Sequence, residues 1–452
     1  MANSIIDKYV NKIGQLWLND NHKMSFPGQI VYVDSNYYLV GSMMKHDLIK
    51  EINRQQDKLL DLTFYGLIDD IHVSFFCCDL KQSSSYAWVG TKDCETIFSA
   101  TISFGDVLIG TMFVNCETKV SAAIVRFSNL EEFIREKVCE FDFQKGMIFK
   151  QSRQLKYNTK EYSLEFVLGL SHTSTLKKGE FNFPVSSRFV FSKKISIVRA
   201  RTHIAHFRML MSMLKLHYID IYDIELYINW DDNSGKNSCR ENSFYYYLNH
   251  MPQSTAELWP VPRFCLNHSD ISGDLERILN NWLIFQSVAE PIVGMFYQIL
   301  INKSYDINLL LNLVQAMEVF SNRFRKKEVK QVLERYPRQK PDSTAPTTWH
   351  KVFDLLNCAN LCFNFEEVNL EKIASWIVDT RNYYTHYGRK TKDTLTLYEE
   401  RGPINRLMWY LLTILIYNRL GVKMELIAEK FYHPFYKSTL QQIKNMLLST
   451  VE

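Results

Sequence analysis

"LEKIASWIVDTRNYYTHYGRK", Leu370 to Lys390, opens as ordinary core material and closes in a knot of cationic and aromatic groups. Ile373, Ile377 and Tyr384 fall in line at helical spacing, so the stretch reads as a helix with one buried face. Arg381, Asn382 and His386 then crowd into about a turn and a half of that helix, and Gly388 supplies a stop signal. Tyr384 belongs with the core face.

Working outward, the flanking text is helical too. In "DLERILNNWLIFQSV" Leu275, Ile278, Leu279 and Trp282 mark a stripe, with Asp274 as N-cap and Pro291 starting or kinking the next helix. "DINLLLNLVQAMEVFSNRFRKK" gives another helix, capped by Asp306. The proline-bearing "YPRQKPDSTAPTTW" reads as a loop. A helix near Lys351 to Cys362, the opening stretch, "INRLMWYLLTILIYNRLG" and "LQQIKNMLLST" complete an all-α bundle over residues 266–452.

Residues 1–265 follow a different pattern. "GQIVYVDSNYYLVG" is a hairpin signal, two β-rich runs around Asp-Ser-Asn. Further short β-branched and aromatic runs, "DLTFYGLI", "VSFFCCDL", "SAAIVRF", "SLEFVLGL" and "YDIELYINW" among them, predict a twisted antiparallel system, sandwich or barrel. A helix is expected at "RTHIAHFRMLMSMLKL". The fold class is therefore α+β in two domains, an antiparallel β-sandwich-like half followed by a helical bundle. The seam falls near "WPVPRFCLNHSD".

Bulk properties exclude more than they assign. A formal charge of +4 over 452 residues neither requires nor forbids a polyanionic partner. The N-terminus lacks a signal-peptide pattern, and the longest apolar run, Leu407 to Tyr417, is shorter than the roughly 20 residues of a membrane span. Nine scattered cysteines with no pair of CxxC motifs predict a reduced, cytoplasmic protein with no zinc site and no membrane association. GxxxxGK[ST] is absent, which argues against nucleotide hydrolysis. His203 and His206 are three apart but lack a third convergent ligand, and read as core histidines.

The pattern R-x4-H occurs three times, at Arg201/His206, Arg263/His268 and Arg381/His386. Only the last lies on a bundle helix with a polar residue after the arginine and a stop beyond the histidine. Asn382 and His386 are one turn apart, so the amide is placed to hold the imidazole in one tautomer. Arg381 and His386 are about 140° apart on an unbroken helix, and converge if the helix ends at His386 or a second copy packs against the first. A helix end simply decorated with cations satisfies the pattern equally well. Glu318 shares a face with Ile307, Leu311 and Val314, where a carboxylate needs a partner, and Arg381 is the candidate. Arg389, Lys390 and Lys392 could track a phosphate backbone or be a solvated loop. Tyr383 and Tyr387 could stack an unpaired base. The run Arg323, Arg325, Lys326, Lys327, Lys330 reads as a solvated helix end.

"RNYYTH" on the penultimate core helix resembles the arginine–polar–x3–histidine signature of HEPN ribonucleases, and "LLNLVQAMEVFSNRF" resembles the matching helix of their ApeA-like branch, bacterial anti-phage defence proteins. "FPGQIVYVDSNYYLVG" is similar to that branch's N-terminal domain. The resemblance implies metal-independent, cofactor-free cleavage of RNA such as tRNA by its own 2′-hydroxyl. His386 would be general acid–base, Arg381 phosphate stabiliser and Asn382 the orienting residue, with Glu318 and Tyr383 in support and Arg389, Lys390 and Lys392 on the RNA. It further implies a homodimer through the helical domain and an N-terminal domain that senses a phage-derived trigger. The competing reading is a non-catalytic helical dimerisation module whose β half binds a phage protein or other ligand.

Overall fold

A computed structural model of the chain describes residues 5–449, apart from 20–24, 35, 58–61, 88–95, 116, 136–138, 143–145, 150–154, 170, 176–177, 183, 231–242, 249–264, 303–306, 338–344, 388–389 and 432–433. The chain divides into two compact units that interleave in sequence. Unit 1 holds Met1–Glu131, Glu136–Arg208 and Ile219–Gln253; unit 2 holds Glu132–Arg135, Met209–Tyr218 and Ser254–Glu452.

Unit 1 begins with a short 3-10 turn, Ile5–Tyr9, and then β1 (Ile13–Leu18), β2 (Phe26–Val33) and β3 (Asn36–Lys45). The expected hairpin is β2–β3, closing at the pair Val33–Asn36 with Asp34 in the left-handed region (φ 48). Helix α1 (His46–Asp57) leads to β4 (Leu62–Ile68), β5 (Ile71–Ala87) and β6 (Thr96–Ser103). These six strands run β5-β4-β1-β2-β3-β6 and back to β5, so the sheet closes into a barrel. Of the sandwich and barrel alternatives, the strands adopt the barrel. Closure satisfies every edge that a two-sheet sandwich would leave open.

A continuing sheet leaves the barrel through the same long β5. Its residues His72–Phe76 pair with β7 (Asp106–Gly110), whereas Asp79–Ala87 pair with β6. The change of partner falls at Cys77, whose φ of 52° turns the strand. Beyond β7 come β8 (Lys119–Phe127), helix α2 (Leu130–Ile134), the hairpin β9 (Cys139–Asp142) and β10 (Gly146–Phe149), then β11 (Leu155–Asn158) and β12 (Tyr162–Leu168). A second hairpin, β13 (Ser171–Thr175) and β14 (Lys178–Asn182), precedes β15 (Val185–Ser196), the expected helix α3 (Ile197–Lys215), β16 (Ile221–Tyr227) and β17 (Ser243–Leu248). The full order is β11-β12-β15-β8-β16-β17-β7-β5 before the barrel.

Inside the barrel Leu16, Phe26, Ile30, Leu39, Phe64 and Phe75 are fully or almost fully buried, and Leu48, Ile49 and Ile52 of α1 join the same core. Leu16 pairs with Gly66 on β4, and Gly28 lies on β2 beside it. A Cβ on either glycine would stand 2.2 Å from a Leu16 methyl, so one leucine fills the space that two glycines leave. Of the two histidines expected in the core, elsewhere in unit 1, His206 is only partly buried. His203 is 6% exposed, with Nε2 3.1 Å from Glu161 Oε2 and its ring 5.3 Å from that of Tyr162.

Unit 2 is helical: α4 (His268–Ile271), α5 (Leu275–Asn302), α6 (Ile307–Phe324), α7 (Lys326–Arg335), α8 (Thr348–Cys358), α9 (Asn360–Phe363), α10 (Glu367–His386), α11 (Tyr398–Leu420), α12 (Met424–Lys430) and α13 (Pro434–Ser449). Leu275, Ile278, Leu279 and Trp282 are buried as the stripe requires, but the Asp274 carboxylate pairs with Arg277 at 2.8 Å. Pro291 lies inside α5 and kinks it at Ala289 (φ −124, ψ 28), because proline cannot donate to the carbonyl four residues back. The proposed cap Asp306 and the central part of the proline-bearing loop lie outside the described residues. Helix α11 is buried on all sides from Leu407 to Tyr417, as an all-round apolar helix must be. Phe296 of α5 stacks on its Trp409 at 4.0 Å, and Tyr417 donates to the Met213 carbonyl at 2.6 Å, within the α3 residues assigned to unit 2. Among the described residues α5, not the α11 run, is the helix long and apolar enough to span a membrane. Trp282, Phe285, Ile292 and Phe296 are nonetheless buried in the bundle.

Two outcomes follow from unit 1. Gly66→Ala pushes a methyl against Leu16 and to 2.9 Å from the Gln15 carbonyl, and a urea melt should show a loss of about 1–3 kcal/mol. Burial lowers the affinity of His203 for a proton, and lowers that of His206 further, to about 4 from the ordinary 6.5. Between those values the unfolded chain binds more protons than the fold, so stability contributed by the neutral imidazoles is complete above pH 6.5 and is lost as pH falls toward 4. His206→Gln should flatten the dependence of the melting temperature on pH across that window.

Candidate active site at the end of helix α10

The amphipathic part of α10 fixes where its last turn lies. Leu370, Ile373, Ala374, Trp376, Ile377 and Thr380 are buried, and Thr380 Oγ1 accepts the Leu395 N–H at 2.9 Å. The chain after the helix is folded back onto it by Thr391 donating to Asp379 (2.7 Å) and by the Lys372–Asp393 ion pair (2.6 Å). The helix ends at His386 because Tyr387 adopts the left-handed conformation (φ 49, ψ 35). The stop is thus one residue before Gly388, which lies outside the described residues. An L-residue pays about 1–2 kcal/mol for this conformation, a small cost beside the burial that anchors the helix. Tyr387 is 91% exposed.

Arg381 and His386 meet within one chain. Arg381 Nη1 lies 3.4 Å from His386 Nε2 and 3.0 Å from Asn382 Oδ1, while Nη2 lies 4.0 Å from Glu318 Oε2 on α6. The long arginine side chain runs past the helix terminus and spans the 140° that separates the two Cα–Cβ directions. A guanidinium can only donate, so Nε2 presents its lone pair, and the proton of the neutral ring sits on Nδ1. Asn382 therefore does not hold the imidazole, as its one-turn spacing suggested; its carbonyl oxygen takes a hydrogen bond from Arg381 and orients the cation. His386 and Asn382 are exposed and Arg381 is partly so.

Glu318 is half-buried rather than buried, and its partners are two. One oxygen faces Arg381, and Thr348 Oγ1 at the start of α8 donates to the other. Tyr383 stands edge-on to Tyr384, ring centres 4.9 Å apart. Tyr384 is not a pure core residue. Its hydroxyl accepts from Arg401 at 3.1 Å, and the same guanidinium lies over its ring. Lys390 donates to Thr396 at 3.1 Å and Lys392 is exposed, both in the loop beside the motif; Arg389 lies outside the described residues.

The other two R-x4-H matches have different surroundings. Arg201 pairs with Asp106 at 3.0 Å, and His268 is buried with its ring 6.0 Å from Phe133; Arg263 is not among the described residues. In the second basic run, Arg325 is not solvated but forks onto Asp354 at 2.6 and 2.9 Å. Burial pushes the Asp354 carboxyl up, and the arginine offsets part of that. Among the described residues no cluster of His, Cys, Asp and Glu could hold a metal. Sequence reasoning missed Thr348 and Arg401. "TTW" carried the only signal for the former, since Thr347 is the N-cap of α8 and places Thr348 at its first position.

Two family models match the chain. The one described as Apea-like HEPN covers residues 311–426, which includes Glu318, Thr348, Arg381 and His386. The one described as ApeA N-terminal domain 1 covers residues 11–282, more than half of the chain. No curated protein and no solved structure gives a significant match. With the barrel strands and the arginine–histidine site inside these matches, the chain belongs to the ApeA-like HEPN family of anti-phage defence nucleases.

Proposed function

We propose that the protein is a metal-independent endoribonuclease of anti-phage defence that cleaves cellular RNA, tRNA included, at the Arg381–His386 site. The observation that carries this reading is the 3.4 Å approach of Arg381 Nη1 to His386 Nε2 at an exposed helix end. A histidine kept for structure would be buried with both ring nitrogens engaged, whereas His386 is exposed.

In the proposed reaction Arg381 turns from His386 to the phosphate, the Nε2 lone pair so released takes the proton of an RNA 2′-hydroxyl, and the 2′-oxygen attacks the adjacent phosphorus. The P–O5′ bond breaks, leaving a 2′,3′-cyclic phosphate, and the departing oxygen takes a proton to become a 5′-hydroxyl. Arg381 holds the two non-bridging oxygens as negative charge grows on them, the task for which a planar, permanently charged fork is suited. One imidazole cannot be base and acid in the same instant. A homodimer through the helical unit, with His386 of the partner subunit as the acid, supplies the second role. Lys390 and Lys392, with Arg389, follow the RNA backbone, and Tyr383 flanks the scissile nucleotide. Unit 1 responds to a phage-derived trigger, and the whole acts in the cytoplasm.

Purified full-length protein incubated with total tRNA in EDTA should yield fragments ending in 2′,3′-cyclic phosphate. His386→Ala should reduce the rate by about 10²–10⁴-fold, the usual contribution of a positioned proton-transfer group, and Arg381→Ala by a comparable factor. If wild type is silent alone, extract from infected cells is added to supply the trigger. Equal cleavage by all three proteins, or none with extract, returns the helical unit to the role of a dimerisation module.

A further inference from the structure

We propose that Thr348 is a positioning residue for Arg381, acting through Glu318. The inference rests on the catalytic reading of Arg381 given above. Glu318 divides its two carboxylate oxygens: Oε1 accepts from the Thr348 hydroxyl and Oε2 faces Arg381 Nη2 at 4.0 Å. At that distance, with the Arg381 and Glu318 side chains 26% and 22% exposed, the ion pair alone is too weak to hold a flexible glutamate in one rotamer. A hydroxyl bonded to the ionised oxygen is the stronger restraint, because charge-assisted hydrogen bonds exceed both neutral ones and solvated ion pairs.

Thr348 is itself held from three directions. Thr347 caps α8, with its hydroxyl accepting the His350 N–H at 3.4 Å. The Thr347 N–H donates to His350 Nδ1 at 3.1 Å, which makes that nitrogen the acceptor and leaves Nε2–H to donate to the Tyr336 carbonyl at 2.9 Å. Trp349 then donates to Ser375 of α10 at 3.1 Å, and Ser375 to the Glu371 carbonyl at 3.0 Å. The first turn of α8 is thereby fastened to the same helix that carries Arg381, less than two turns upstream of it. Thr348 also presents Glu318 with the positive end of an 11-residue helix. The path Ser375–Trp349–Thr348–Glu318–Arg381 leaves α10 and returns to it, and sets the guanidinium against His386.

The test uses the full-length chain with Thr348→Val, Thr348→Ser, Glu318→Gln and the double variant Thr348→Val/Glu318→Gln. Two readouts are taken: kcat and KM for RNA cleavage, and the side-chain ¹⁵N resonance of Arg381, assigned by its loss in Arg381→Lys. Thr348→Val should lower kcat about tenfold, the loss of one hydrogen bond to a charged group, with KM within about twofold. Thr348→Ser should restore it, and Thr348→Val should have no further effect once Glu318 is glutamine. The Arg381 resonance should move in Thr348→Val and Glu318→Gln and return in Thr348→Ser. Wild-type kcat in Thr348→Val, full additivity in the double variant, or an unmoved Arg381 resonance each overturns the proposal. Should wild type fail to cleave RNA under any condition, it is the ribonuclease reading that falls. The positioning role is then decided by the resonance alone.

Discussion

Arginine offers five N–H donors and no acceptor, and that asymmetry organises the end of α10. Whatever lies within reach of Arg381 has to accept: the Asn382 amide oxygen, the Nε2 lone pair of His386 and a Glu318 carboxylate oxygen. The tautomer of the histidine, the orientation of the asparagine and the need for a carboxylate on α6 all follow from one guanidinium. The helix end sets the remaining condition. The left-handed Tyr387 stops α10 at the turn where arginine can still reach.

Much of this was legible in the sequence, for identifiable reasons. Helical period exposed α5, α6 and α10, because each buries a stripe that the 3.6-residue repeat displays directly, and an unbroken apolar run exposed α11, which is buried all round. The pairing of Glu318 with Arg381 followed from the cost of an unpartnered carboxylate on an apolar face. Three things were hidden. Asn382 was assigned to His386 by spacing, which treats side chains as directions and neglects that an arginine next door is long enough to take the oxygen first. Thr348 gave no pattern of its own, since a hydroxyl at the first turn of a helix is common and its meaning depends on a glutamate 30 residues earlier. Barrel closure was also illegible. β5 pairs with β4, β7 and β6, and which strands close is decided by the turn at Cys77, a position that nothing in its side chain marks out.

The two units differ in how they hold polar groups, and the difference matches what each has to do. In the helical unit Arg325 forks onto the buried carboxylate of Asp354, whereas Arg381 meets the half-buried Glu318 only at 4.0 Å. A guanidinium forked onto a buried carboxylate is committed and cannot serve a substrate. A guanidinium held by long, half-exposed contacts retains N–H groups that a phosphate can take. In unit 1 His203 is disposed the opposite way, drawn among the rings of Tyr162 and Phe191, where burial lowers its affinity for a proton. Neighbouring residue types therefore carry different meanings in the two halves, and an arginine–histidine spacing acquires significance only once burial is known.

The shared strand β5 has one more consequence. In the thirteen-stranded sheet, as far as the described residues show, the ring β5-β4-β1-β2-β3-β6 terminates one end on itself, so the only open ladder edge is β11. That strand is four residues long, Leu155–Asn158, and includes Lys156. A short edge bearing a lysine is a poor template for a foreign strand. An antiparallel sheet of this extent would ordinarily offer two such rows of unpaired amides, and its closure on itself leaves this one only the short row on β11.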